Sequence, residues 1–73
     1  MNEEEKLEVL ADIFDCDKGD ISPDKPLDEL GWDSMSMLSV IAMAKSRFNR
    51  KVPGAEIRAF VTVQDILDIM KPE

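Results

Sequence analysis

The chain has 73 residues, 44% of them hydrophobic, a net charge of −7, one cysteine and no histidine. A domain near this size buries only about 60% of the surface its unfolded chain exposes, so the length fits one small domain (1–73) without a deep catalytic cleft, while the apolar fraction excludes global disorder. The negative charge disfavours nucleic acid and anionic membrane surfaces and favours basic protein partners.

Residues 3–14 predict a first helix. Leu7, Leu10, Ala11 and Phe14 fall at i, i+3, i+4 and i+7 and so share one face. Asn2 suits the N-cap, with Glu5 three residues on as in a capping box. Glu3, Glu4 and Glu5 place negative charge where the helix dipole favours it. Residues 15–33 predict a long loop, because Gly19, Pro23, Pro26 and Gly31 resist a continuous helix. A loop of that length packs on the core or carries function; Ile21, Leu27 and Leu30 are its expected anchors. Residues 34–48 predict a second helix, capped by Asp33, with Met37, Val40, Ile41, Ala44 and Phe48 as its apolar stripe. Lys45, Arg47, Arg50 and Lys51 gather at its C-terminal end, where cations suit the dipole, and Val52, Pro53 and Gly54 are expected to end it. Residues 55–60 hold one short helical turn or two. Thr62 and Asp65 form a second capping-box pattern for a last helix with Val63, Ile66, Leu67, Ile69 and Met70 on its apolar face and Pro72 as its stop. The sum is a small all-α bundle of three main helices and one minor one.

Charge is uneven along the chain. Residues 1–34 hold 12 acids and 3 bases, and residues 35–73 hold 4 acids and 6 bases. The lone cysteine rules out an internal disulfide and points to a reducing, cytoplasmic setting. The acidic start MNEEEKLEV is unlike a signal peptide. No apolar run approaches the roughly 20 residues of a membrane span. A free-standing monomer is expected.

Few residues carry chemistry of their own. Without histidine there is no Ser–His–Asp or Cys–His catalysis and no histidine metal site. Cys16 lies between Asp15 and Asp17, which raise a thiol pKa. DCDKGD fails as a calcium loop: with Asp15 and Asp17 as the first ligands, Gly19 stands at a ligand position, Asp20 at the required glycine and Pro26 at the terminal glutamate. Lys45, Arg47, Arg50, Lys51 and Arg58 are accounted for by helix-end solvation and dipole pairing; the cluster has no aromatic partner for bases, but could help hold a phosphate-bearing ligand or an acidic partner. Ser34 reads at its simplest as the first residue of a helix capped by Asp33. A serine there is also well placed to bear a phosphate, stabilised by free N–H groups and the positive dipole end. No base lies near it in sequence, so another enzyme would have to modify it.

The loop ISPDKPLDELGWDSM, the apolar helix ending in Phe48 and the late TVQDILDIM together resemble the acyl and peptidyl carrier proteins, over essentially the full chain. The resemblance implies a small four-helix bundle of the acyl-carrier type, with a long loop between helices 1 and 2. It implies that Ser34 is the attachment point of a 4′-phosphopantetheine arm drawn from coenzyme A, and that Asp33 is used by the modifying transferase. It implies as partners a phosphopantetheinyl transferase, an acyl- or aminoacyl-loading ligase, and downstream synthase or transferase enzymes; the chain itself would catalyse nothing. Met35 stands where leucine is commonest, a nearly isosteric change.

A second departure concerns partners. Carriers of fatty-acid synthesis usually show several acids along the helix after the serine, whereas Met35 to Arg50 has none. Steering by this helix is therefore weak or altered, and the expectation is a carrier for a specialised pathway. Leu38 and Ala42, flanking the apolar stripe, are candidate partner contacts along with Met35, and Asp24, Asp28 and Glu29 could supply charge instead. Trp32 is either a hydrophobic anchor closing the loop on the helix or a contact for the arm or a partner. Two other readings stay open: a carrier-like interaction module that is never loaded, and an acidic helical adaptor unrelated to carriers.

Overall fold

The computed structural model describes residues 2–71. The expected helices form in the expected order: α1 (Glu3–Ile13), α2 (Ser34–Phe48), α3 (Gly54–Arg58) and α4 (Val63–Ile69). Among the described residues no strand forms; Pro26 and Thr62 meet in one isolated antiparallel bridge. Among the described residues no helix is long and apolar enough to cross a membrane.

At the start of α1 the capping box is complete. Asn2 Oδ1 accepts the Glu5 N–H at 2.8 Å, and the Asn2 N–H donates to Glu5 Oε1 at 3.3 Å. Leu10 and Ala11 are buried, with Leu7 and Phe14 half-buried beside them. The helix ends at Ile13 rather than Phe14 because Asp15 turns left-handed (φ 53°), which brings the Cys16 N–H to the Ala11 carbonyl at 2.9 Å. Such a turn satisfies carbonyls that the last turn otherwise leaves unpaired.

The long loop is an integral part of the core. It contains two 3-10 turns, Lys18–Asp20 and Leu27–Leu30. Lys18 ties the first to α1 through Glu4 and Glu8. Ile21 and Leu27 are buried and Leu30 is half-buried, as their spacing suggests. A backbone clasp then joins the loop to α4, which the side-chain pattern does not reveal. Leu27 N–H donates to the Val61 carbonyl (2.9 Å), Val63 N–H to Lys25 (3.0 Å) and Gln64 N–H to Pro23 (2.8 Å). The last two donors lie in the first turn of α4, where no intrahelical acceptor exists.

In α2 the core positions are Val40, Met43 and Ala44, with Met37, Ile41 and Phe48 half-buried. Met43 replaces Ile41 as a fully packed member of the stripe: it sits one turn on from Val40 beside Val9 and Ile13 of α1, and Ile41 turns toward a surface cleft. The stop also differs from expectation. Asn49 adopts the left-handed conformation (φ 51°), its N–H meets the Ala44 and Lys45 carbonyls, and the helix ends before Val52 is reached. Asn is among the few non-glycine residues that take this conformation readily. Helix α3 covers 54–58 rather than 55–60 and buries Ile57. In α4, Asp65 Oδ2 accepts both the Val61 and Thr62 N–H groups (2.8 and 3.1 Å), and Val63, Ile66, Leu67, Ile69 and Met70 are all buried. The expected stop at Pro72 lies outside the described residues. No polar or charged residue among those described is buried, so the core is held by apolar packing throughout.

Candidate functional site at the start of α2

Gly31, Asp33 and Ser36 set the entry to α2. Gly31 closes the second 3-10 turn in the left-handed region (φ 76°, ψ 40°), which glycine enters without the strain a Cβ brings. Trp32 follows, half-buried, with its ring centroid 6.0 Å from that of Phe14 at the end of α1. This tilted packing holds the loop against the first helix, as the anchor reading of Trp32 requires. Asp33 then caps the helix. Its Oδ1 accepts the Ser36 N–H at 2.9 Å and the Ser36 hydroxyl at 3.1 Å. Those two bonds, led by the backbone one and helped by the Met35 N–H, hold the Asp33 carboxyl below its usual range, so it is ionised at neutral pH.

Ser34 sits directly after this cap, exposed, at the N-terminus of a 15-residue helix. No hydrogen bond among the described residues engages its hydroxyl, and the neighbouring carboxylate is committed to Ser36. Ser34 therefore has a free oxygen and no local base, as its sequence context implies. One expectation needs correction: the first-turn N–H groups are not all free for an anion, because Asp33 takes that of Ser36. What the site does offer a phosphate on Ser34 is solvent access and the positive end of the helix dipole, partly offset by Asp33.

The serine also stands at the mouth of a cleft of about 290 Å³, lined by Met37, Leu38 and Ile41 of α2 and by Gly54, Ile57 and Arg58 of α3. Sequence reasoning missed the contribution of α3. Arg58 lies over Gly54, whose absent Cβ would stand 3.2 Å from the guanidinium. Its charge is visible in the sequence, but its position beside Ser34 comes only from the fold. The candidate contacts divide between two faces. Met35 and Leu38 are strongly exposed (75% and 66%), and Leu38 borders the Ser34 cleft. Ala42 is exposed on another side, in a groove between α2 and α1 lined by Val9, Ile13 and Ser39. Cys16 is remote in role, its thiol pushed above its usual pKa by burial and by Asp20, Asp17 and Asp15.

These residues fit a phosphopantetheine: an accessible serine oxygen, a helix N-terminus for its phosphate and an apolar cleft alongside. A family profile described as the phosphopantetheine attachment site matches residues 7–70. The chain is 34% identical to an acyl carrier protein of Myxococcus xanthus, over 94% of this chain and 94% of that one. It is 34% identical to an acyl carrier protein of Micrococcus luteus, over 94% of this chain and 91% of that one. It also matches a segment of the polyketide synthase PksR of Bacillus subtilis at 27% identity, over 85% of this chain but 2% of that protein. The chain belongs to the acyl carrier protein family, whose mark is an attachment site for 4′-phosphopantetheine.

Proposed function

We propose that this chain works as a single-domain acyl or aminoacyl carrier in a specialised biosynthetic pathway, with Ser34 as its attachment oxygen. The observation that carries the reading is the unengaged, exposed Ser34 hydroxyl at the start of α2, held there by the Gly31 turn and the Asp33 cap. When attached, 4′-phosphopantetheine supplies a flexible tether ending in a thiol that holds cargo as a thioester. The protein's own residues do the rest. Asp33 fixes the angle at which the helix leaves the loop and presents a charge to the modifying transferase. Trp32, packed on Phe14, keeps that entry rigid. Met37, Leu38, Ile41 and Ile57 offer an apolar lining next to the attachment point. Tethering raises the local concentration of cargo at each partner, to the millimolar range for a short flexible linker.

With no base beside Ser34, the chain depends on a transferase for loading and catalyses nothing. A loading ligase and a downstream synthase or transferase complete the partner set. Two observations favour a specialised pathway: α2 carries no acid, and one relative is a segment of a polyketide synthase. The lone half-buried cysteine suits a cytoplasmic setting. Incubation with coenzyme A and a broad-specificity phosphopantetheinyl transferase tests the reading. The intact mass should rise by one phosphopantetheine, and Ser34→Ala should abolish the gain. A protein that stays unmodified with several transferases is an interaction module instead.

A further inference from the structure

We infer that the C-terminal half of α2, residues 49–53 and α3 form a docking face for a partner enzyme whose own surface there is acidic around an apolar centre. The inference deepens the carrier reading, on which it rests for the kind of partner, and reverses locally the preference for basic partners that the net charge implies.

Three observations converge. A groove of about 400 Å³ lies here, with Ile41, Val52 and Pro53 as its apolar floor and Lys45, Arg50 and Lys51 around it. Ile41 also lines the Ser34 cleft, so the groove and the attachment site share one side of the molecule. The surrounding charge is mostly positive: Lys45, Arg50 and Lys51 line the groove and Arg58 the adjoining Ser34 cleft, while Arg47 lines the groove toward α1. From Ser34 to Gln64 the one acid is Glu56, in α3. Those five cations make no ion pair among the described residues, where Lys18 and Lys25 supply the cations of every pair. The dipoles at the ends of α2 and α3 account for Lys45, Arg47 and Arg58, but Arg50 and Lys51 lie in neither helix.

An apolar centre ringed by unpaired cations fits a partner with the matching arrangement. The apolar contact excludes water, and each cation then gains a carboxylate in a drier setting. Residues 1–33 hold 12 acids and 3 bases, so an acidic partner is repelled from that half of the chain and steered to this face.

The test uses the full isotope-labelled chain and a synthetic peptide with a central leucine flanked by glutamates. The same peptide with lysines in place of the glutamates is the control. Amide shifts should concentrate at Ile41, Lys45, Arg50, Lys51 and Val52. Binding should weaken about tenfold as salt rises from about 0.05 M to about 0.5 M, where screening becomes short-ranged. Lys45→Glu/Lys51→Glu should bind about tenfold less while its far-ultraviolet circular dichroism is unchanged. A failure of several transferases to load Ser34 would sink the carrier reading and leave this peptide result standing. Equal or stronger binding of the lysine peptide overturns the inference, as do shifts confined to other residues. So does binding through these residues to phosphatidylglycerol vesicles but not to the peptide, or concentration-dependent shifts of the groove without peptide, which would assign the face to a lipid surface or to a second copy.

Discussion

Replacing Leu27 by alanine should cost this domain a large share of its stability, although Leu27 lies in what the sequence presents as a loop. The side chain is 1% exposed within the core cluster, and its backbone is a hub. Its N–H bonds the Val61 carbonyl, and its carbonyl accepts the Gly31 and Trp32 N–H groups. Truncation removes three carbons, about 2.4 kcal/mol at about 0.8 per methylene. The cavity left behind raises the loss to roughly 3–4 kcal/mol. A chain of this length has on the order of 4–11 kcal/mol in all. At roughly 4–8 °C per kcal/mol, the melting temperature should fall by about 12–30 °C. The assay is urea unfolding followed by Trp32 emission, which reports separation of Trp32 from Phe14. Leu38→Ala is the control: Leu38 is 66% exposed, and its loss should fall within about 0.5 kcal/mol. If the two variants unfold at the same urea concentration, the loop does not belong to the core and the reasoning fails.

Other perturbations test the site piece by piece. Gly31→Ala should lose about 1–2 kcal/mol from left-handed strain alone, because a Cβ there meets nothing within 4 Å, and Gly31→Asn should lose less; equal thermal midpoints for all three proteins would contradict this. Asp33 has a carboxyl held below the usual 3.8, so its charged cap adds stability that is complete above that pH and disappears as pH falls through the lowered value. Thermal melts of the native protein and Asp33→Asn from about pH 6 to about pH 2 should therefore converge on the acid side, and a gap constant with pH would refute the assignment. Cys16, raised above its usual 9.0, should alkylate slowly at pH near 8 until urea is added; native labelling as fast as unfolded labelling would show the thiol to be exposed and unperturbed.

Helix order is legible in this sequence because three of the four helices carry local start signals. Asn2 with Glu5, Asp33, and Asp65 near Thr62 each act within a few residues of themselves, and the structure shows their hydrogen bonds. Helix α3 has no side-chain cap, and its limits shift by a residue or two. Asn49 is a readable stop, stronger than the Val52–Gly54 stretch because it satisfies the carbonyls of Ala44 and Lys45 at once. The clasp of Pro23 and Lys25 on Gln64 and Val63 is not legible, since it runs between main-chain groups that every residue has. The exchange of Met43 for Ile41 in the core depends on where α1 crosses α2, which periodicity within one helix does not contain. At the site, Ser34 and Asp33 are visible as neighbours in sequence. Arg58 and Ile57 are not, because only the packing of α3 brings them to the same cleft.

The central claim is that one oxygen, that of Ser34, takes the arm. The proteolytic peptide covering residues 19–45 contains Ser22, Ser34, Ser36 and Ser39, so its fragmentation after loading from coenzyme A separates the candidates directly. The account predicts one phosphopantetheine, wholly on Ser34, because Ser36 is bonded to Asp33 and Ser22 to Asp24. A group found on Ser36 or Ser39, or retained in Ser34→Ala, would contradict it.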